Sequence, residues 1–135
     1  MAFVVPSQHA RSAPSEGKFG GALVATEGCA EAGPNAAYAS FPLTVECWAK
    51  LDSKDGYNIV LANETKSSAT HWELFTTPRD GCLHAYFPGR KPDHCRTTVD
   101  IVDGQWHYLA MVVEAERVRL FVDGVEKGSV TATPP

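Results

Sequence analysis

The sequence predicts an all-β fold, an antiparallel sandwich of two β-sheets. Short runs rich in Val, Tyr, Trp and Phe recur between Gly, Pro, Asn and Asp residues, which form turns. Within several runs apolar and polar residues alternate, as in strands with one buried face. The chain has 135 residues, the length of one domain, and no run with helical periodicity.

The N-terminal part of the chain predicts one strand after an irregular segment. Residues 1–16 are rich in Ser, Ala and Pro without periodicity, so we expect a flexible N-terminal arm. Gly17–Thr26 predicts the first strand of the domain, residues 17–135. Tyr38–Phe41 predicts a short strand that ends at Pro42.

The middle of the chain alternates most clearly. Leu43–Leu51 predicts a strand with Val45 and Cys47 facing inward and Trp48 on the opposite face, and Tyr57–Asn63 predicts the next strand.

Two further runs, His71–Thr77 and Cys82–Phe87, flank the turn sequence Pro-Arg-Asp-Gly and predict a hairpin. Its core face carries Leu74 and Leu83. Its other face presents polar and aromatic residues, namely His71, Glu73, Phe75, Cys82, His84 and Tyr86.

The C-terminal part contains the most regular hairpin. Thr97–Val102 leads into it, and Glu126–Thr133 follows it as the last strand. The hairpin strands, Trp106–Val113 and Val118–Val122, lie between two Asp-Gly turn sequences. The first strand is apolar on both faces, which predicts a central position in its sheet. We expect Trp106 in the core.

The hairpin sequence DGQWHYLAMVV…RVRLFVDG resembles that of laminin-G-like domains, which are concanavalin A-like jelly-roll sandwiches. Three earlier stretches fit the same pattern: GKFGGAL at Gly17–Leu23, FPLTVECWAKL at Phe41–Leu51, and HWELFTTPRDGCLHAYFPG at His71–Gly89. The resemblance implies this fold. It does not select a function, because such sandwiches serve as lectins, hydrolases, lyases, adhesion modules and spacers.

Laminin-G-like domains usually continue past this hairpin with further strands, whereas here only Val125–Pro135 follows. The resemblance therefore implies an open edge at Gly17–Thr26. We expect a fragment of a longer polypeptide, or closure of the edge by self-association or by Phe3–Val5.

Composition excludes two kinds of partner. The net charge of −4 is spread along the chain without a basic stripe, which argues against nucleic acid. No apolar segment approaches ~20 residues, so we expect no membrane insertion. We expect an extracellular or periplasmic location, although the N-terminus has no signal-peptide pattern.

The four cysteines lack the paired spacing of a structural zinc site. Cys47 alternates with core residues and predicts a buried thiol. We favour a disulfide between Cys82 and Cys95, with Cys29 as the competing partner for either, which would indicate an oxidising compartment.

We expect no catalytic residues. Glu114 and Glu116 have the alternate spacing of a glycosidase pair, but they lie in a hairpin turn. No GxSxG motif is present. A lyase would need converging His, Tyr and Arg side chains, for which the candidates are His71, His84, Tyr86 and Arg79.

We expect His107 to be a hydrogen-bonded structural residue. The resemblance raises bound Ca²⁺ at the rim of the sandwich as an alternative cofactor, without defining its ligands. Oxygen-bearing side chains at strand ends and turns are Asn58, Asn63, Asp80, Asp103 and Asp123.

We expect a non-catalytic recognition module that binds carbohydrate and comes from a larger extracytoplasmic protein. Sugars bind to aromatic rings flanked by polar groups. The predicted ligand-binding residues are His71, Glu73, His84, Tyr86 and Arg90. Trp48 is a possible neighbour, and the basic loop residues Lys91, His94 and Arg96 would favour acidic glycans.

Two alternatives to this function remain open. The aromatic residues could simply cover the second face of a large curved sheet. In that case the domain would be a structural or protein-interaction module without a small ligand. A polysaccharide hydrolase or lyase is the third possibility.

Overall fold

The structure is a computed structural model that describes residues 5–6, 11–25 and 28–134. The chain divides into two compact units, residues 1–36 and residues 37–135, which are described separately.

The N-terminal unit contains two short antiparallel pairs. Strand β1 (Val5–Pro6) pairs with β4 (Ala30–Glu31), and β2 (Arg11–Gly17) pairs with β3 (Gly20–Val24). The segment predicted as a flexible arm thus includes a strand at residues 11–17, while residues 1–4 and 7–10 lie outside the described part. Within the proposed substitute strand Phe3–Val5, Val5 pairs with Glu31 rather than with Gly17–Thr26.

The larger unit is built from two antiparallel sheets of four strands each, which confirms the predicted all-β sandwich. The first sheet has the order β12-β11-β10-β5, where β5 is Leu43–Lys50, β10 is Trp106–Val113, β11 is Arg117–Val122 and β12 is Val125–Thr131. The second has the order β6-β7-β8-β9, where β6 is Asn58–Asn63, β7 is Trp72–Thr76, β8 is Cys82–Tyr86 and β9 is His94–Asp100.

The core lies between the inner faces of these sheets. The fully buried side chains include Leu74 and Leu83 from the second sheet and Met111 and Leu120 from the first. Partly buried residues of β5, among them Val45, pack against them. Burying each large aliphatic side chain contributes roughly 1.5–3 kcal/mol, so this alternation decides which face of each strand turns inward.

The prediction that Trp106 belongs to this core is wrong. Met111 lies opposite Leu120 in the register, so the odd-numbered residues of β10 face the core. Trp106 lies on the other face, opposite Lys50, and is only partly buried. The predicted central position of β10 is confirmed, because it lies between β5 and β11.

In the N-terminal unit, the predicted strand Gly17–Thr26 is replaced by the end of β2, a turn and β3. Two further segments differ from the predicted strands. Ala36–Ala39 forms a 3₁₀ helix where a strand was predicted at Tyr38–Phe41, and Ser40 N donates to Ala37 O over 3.3 Å in the following turn. The segment is Ala-rich and lacks β-branched residues, so it has little preference for a strand. Strand β9 begins at His94, three residues before the predicted strand.

The predicted Cys82–Cys95 disulfide is also wrong. All four cysteines are free thiols. Ala85 of the core face lies opposite Cys95, whereas Cys82 lies opposite Asp100. Cys95 therefore points into the core and Cys82 lies on the outer face, so their side chains cannot meet without rearranging the sheet.

Candidate functional site: a groove on the second sheet

The outer face of the second sheet carries an open groove of about 820 Å³. Side chains from all four strands and from adjoining segments line it, because alternate residues of a strand share one face. The lining residues are Tyr57, Ile59, Lys66, Glu73, Phe75, Thr77, His84, Tyr86, Asp93, His94 and Arg96.

Strand register arranges the centre of the groove in two rows. In one row Glu73 lies opposite Tyr86, and Tyr86 lies opposite His94. In the neighbouring row Phe75 lies opposite His84, and His84 lies opposite Arg96. The carboxylate of Glu73 thus lies at the β7 end of the first row, and the guanidinium of Arg96 lies at the β9 end of the neighbouring row.

The rings of the first row contact each other closely. The centroids of Tyr86 and His94 are 4.7 Å apart, and their planes are inclined by 35°. In the second row the ring of Phe75 meets His84 edge-on, with centroids 5.7 Å apart. Tyr57 adds a further ring 5.9 Å from Phe75. Together these rings give the groove an aromatic surface.

The depth of the rings differs. Phe75 is almost fully buried, at 5 % exposed, and forms part of the floor. Tyr57 is 65 % exposed and stands at the side of the groove. Tyr86 and His84 are partly buried, so each leaves part of its ring accessible to a ligand.

Both carboxylates of the groove have a cationic or histidine neighbour. Glu73 is buried, and its Oε1 lies 3.2 Å from Nζ of Lys66. Asp93 Oδ1 lies 2.7 Å from His94 Nδ1, and this hydrogen bond holds the pKa of Asp93 below its usual value. Lys66 thus places a cation beside the buried Glu73, whereas Asp93 is held by a hydrogen bond.

His84 lies close to the cationic end of the second row. Burial lowers the pKa of His84, and the positive charge of Arg96 lowers it further. The neutral form of the ring is therefore favoured near pH 7, where it can both donate and accept hydrogen bonds.

His71, predicted to bind ligand, lies behind the groove rather than in its lining. It is 3 % exposed. Its Nδ1 lies 2.8 Å from Asn63 O, an acceptor, so this nitrogen carries the proton. The ring centroid is 5.8 Å from that of Tyr86, so His71 supports a ring of the groove.

Arg90, which was predicted to bind ligand, does not line the groove. It is 4 % exposed, and its Nη1 donates to Ala115 O over 2.9 Å and to Ala132 O over 2.8 Å. Its guanidinium stacks 4.7 Å from the centre of the Phe41 ring. Arg90 thus contacts three distant segments of the chain through its guanidinium. Its position in a basic stretch of the sequence did not predict this structural role.

Of the other residues predicted to lie near the site, some line the groove and others do not. Trp48 lies on the outer face of the first sheet, where its ring contacts Tyr108 at 5.4 Å, so it cannot contribute to the groove. His94 and Arg96, predicted as loop residues, belong to β9 and line the groove. Lys91 and Arg79 are absent from its lining.

Sequence reasoning missed Tyr57, Lys66 and Asp93. Tyr57 directly precedes β6, and Lys66 lies in the polar connection before β7. Pairing of β6 with β7 brings Tyr57 beside the hairpin. The sequence signal that could have identified Tyr57 was its alternation with Ile59 on one face of the predicted strand Tyr57–Asn63.

Other candidate groups have structural partners. Glu114 Oε1 accepts a hydrogen bond from Arg119 in the hairpin turn. His107 hydrogen-bonds to Asp123 and to Asp103. No group of three or more His, Cys, Asp or Glu residues in the described part of the chain is arranged to hold a metal ion.

Within the described ranges, no helix has the length and apolar character needed to cross a bilayer. Comparison with curated proteins gives no match, and neither does comparison with solved structures. One family does match, over residues 26–135, and it is described as the concanavalin A-like lectin/glucanases superfamily. That range contains both sheets and the groove, and the chain therefore belongs to this laminin-G-like, concanavalin A-like family.

Proposed function

We propose that this domain is a non-catalytic recognition module that binds carbohydrate in the groove of the second sheet. The observation that carries the proposal is the contact of Tyr86 with His94 in a row that begins at Glu73 and lies beside Arg96. Such rings offer a surface for the apolar face of a sugar, and the flanking polar groups can bind its hydroxyls.

The shape of the groove agrees with an extended ligand. It is open along the sheet and lined from Tyr57 on one side to Arg96 on the other. The core-facing residues of the same strands hold this surface in place, because Leu74, Leu83 and Ala85 are fully buried beneath it. A rigid sheet reduces the ordering cost of binding.

A protein-interaction module is the second candidate. The observation in its favour is the exposure of two apolar side chains at strand β6, which lies at the end of its sheet. Tyr57, just before this strand, is 65 % exposed, and Ile59, within it, is 47 % exposed. Exposed apolar side chains at a sheet edge are a common feature of peptide-binding surfaces. A catalytic role in polysaccharide cleavage is the third possibility and would use the same groove.

A glycan array probed with the purified domain tests the first proposal. We expect binding to a defined group of glycans and a loss of affinity of at least about tenfold in Tyr86→Ala, because hot-spot aromatic residues contribute more than ~1.4 kcal/mol. Tyr57→Ala provides a second test that disturbs folding little, since this side chain is mostly exposed.

Trp48→Ala is the matched control, because it removes an exposed ring from the other sheet. It should leave glycan binding unchanged. Absence of glycan binding by the wild type would contradict the proposal and favour the protein-interaction module. Retained binding in both groove variants would place the site elsewhere. Shortening of a bound polysaccharide would contradict the non-catalytic role.

We further propose that the domain comes from a larger extracytoplasmic protein. The laminin-G-like family membership supports this location.

A further inference from the structure

The charged groups of the groove differ in how closely they are paired. Among the groove residues, Glu73 lies 3.2 Å from the ammonium group of Lys66, and Asp93 forms a hydrogen bond of 2.7 Å with His94. Arg96 is exposed and forms no ion pair with any other residue in the described ranges. Arg96 acts on Asp93 only at longer range, where its positive charge helps to lower the pKa of that carboxyl. Its exposed guanidinium therefore keeps hydrogen-bond donors available for a ligand.

The position of Arg96 relates this charge to the ring surface. Arg96 and His94 are two residues apart on one face of β9, a separation of about 6.6 Å along a strand. His94 contacts the ring of Tyr86. A sugar lying on Tyr86 and His94 would therefore have Arg96 about one monosaccharide away along the strand.

We propose that the carbohydrate bound in this groove contains uronic acid, whose carboxylate pairs with the guanidinium of Arg96. This inference rests on the proposed carbohydrate-binding function. A planar guanidinium binds a carboxylate through two parallel hydrogen bonds, which gives both affinity and orientation. Neutral His84 lies opposite Arg96 and can bind a hydroxyl of the same sugar.

The charge balance favours one carboxylate per bound sugar over a densely sulfated chain. Two carboxylates, Glu73 and Asp93, line the same groove and would repel a chain with several charges on each residue. Lys66 is already within 3.2 Å of Glu73, which limits the positive charge available to a ligand. One guanidinium with a neutral histidine beside it suits a singly charged sugar.

The test compares an acidic ligand with its uncharged methyl ester. Isothermal titration calorimetry at low salt would measure binding of oligogalacturonate and of its methyl ester. We expect the acid to bind at least about tenfold more tightly, because hydrogen bonds to charged groups contribute ~1.5–3 kcal/mol. Arg96→Gln should remove this preference, and Arg96→Lys should retain part of it.

Arg117→Gln is the matched control. Arg117 is 52 % exposed and lies in β11 of the other sheet, so this variant makes the same chemical change outside the groove. It should keep the preference for the acid. The melting temperature of Arg96→Gln should stay close to that of the wild type, which would show that lost binding is not lost folding.

Each other outcome has a defined meaning. Equal affinity for acid and ester, or binding of neutral glycans alone, would overturn this inference and keep the proposed function. Absence of binding to every glycan on the array would overturn both. Tighter binding of dextran sulfate than of oligogalacturonate would overturn the assignment to uronic acid. Arg96-dependent binding of polyglutamate at equal affinity would indicate an acidic peptide.

Discussion

At the residue scale, His107 links two turns at one end of the first sheet. Its Nδ1 lies 2.8 Å from Asp123 Oδ2, and its Nε2 lies 3.0 Å from both carboxylate oxygens of Asp103. Asp123 Oδ1 also accepts a hydrogen bond from Tyr108 N. Both ring nitrogens of His107 face acceptors, so the arrangement favours a ring that donates from each of them.

The ionisation of the three groups follows from these contacts. Burial alone would lower the pKa of His107, but its hydrogen bonds to Asp123 and Asp103 raise the pKa overall. The pKa of Asp103 is lowered, first by the Gln105 N–H and then by His107. Burial would raise the pKa of Asp123, but His107 and the Tyr108 N–H lower it overall.

The first prediction concerns stability against pH. Because the folded-state pKa of His107 is raised, its contribution is fully present below the unfolded pKa of ~6.5 and is lost as pH rises through the folded value. The Asp103 and Asp123 contributions are present above ~3.9 and are lost as pH falls through their lowered folded values. We therefore expect the cluster to stabilise the fold most between about pH 4 and pH 6.5.

Urea denaturation of the wild type and of His107→Gln measures this effect. The difference in unfolding free energy between the two should shrink as pH rises from about 6 to about 9, because the imidazolium is lost. His84 does not affect this difference, since its lowered pKa is common to both proteins. A difference that is constant over this range would contradict a charged His107.

At the scale of elements, the sandwich is closed where strand β9 of the second sheet approaches β12 of the first. A side chain at Gly128 would place its Cβ 2.7 Å from Arg96 O and 3.1 Å from Thr97 Cγ2. Cys95 Sγ also lies 3.8 Å from Val118 O of β11. Glycine thus permits the close packing of two edges, and this packing also supports the backbone that carries Arg96.

The second prediction tests this approach with Gly128→Ala. The added methyl group should force the two strands apart and lower the unfolding free energy by about 1–3 kcal/mol. It should also weaken binding in the groove, because the contact involves the carbonyl of Arg96. Lys127→Ala, an exposed neighbour in β12, is the control and should change stability by less than ~0.5 kcal/mol. Unchanged stability of Gly128→Ala in urea denaturation would show that the strands are not in close contact.

Periodicity predicted the strands well, and it failed where both faces are apolar. In β5 the alternation of Val45 and Trp48 identified the core face without further information. In β10 both faces carry large apolar side chains, so the phase of Trp106 could not be read from that strand alone. The register that places Met111 opposite the buried Leu120 decides it, and that register depends on how the turn between the two strands closes.

The candidate site shows the same limit. The hairpin of β7 and β8 was predicted with the correct outer face, because its two strands are adjacent in sequence. Tyr57 reaches the groove only through pairing of β6 with β7, and His94 only through the early start of β9. The sequence places Arg90 in a basic loop that was predicted to be exposed. It is buried, because main-chain carbonyls from distant segments accept hydrogen bonds from its guanidinium.

At the scale of the whole molecule, the four cysteines differ in how deeply the fold buries them. Cys95 is buried and Cys47 is partly buried against the same core, and burial raises the pKa of each thiol to about 11. Cys82 lies on the outer face, and its pKa is raised by burial and by Asp80 and Asp100. Cys29, in the N-terminal unit, is exposed.

The third prediction follows from this distribution. In the folded, unreduced protein at about pH 8, a thiol reagent should modify Cys29 first, because reaction requires an accessible thiolate. Cys82 should follow more slowly, and Cys47 and Cys95 should react at the rate at which the core opens. Cys29→Ser should remove the fast phase only.

After unfolding without reductant, four thiols should react. A total of two would reveal a disulfide and contradict the four free thiols. Rapid reaction of Cys95 in the folded state would contradict a closed core between the two sheets.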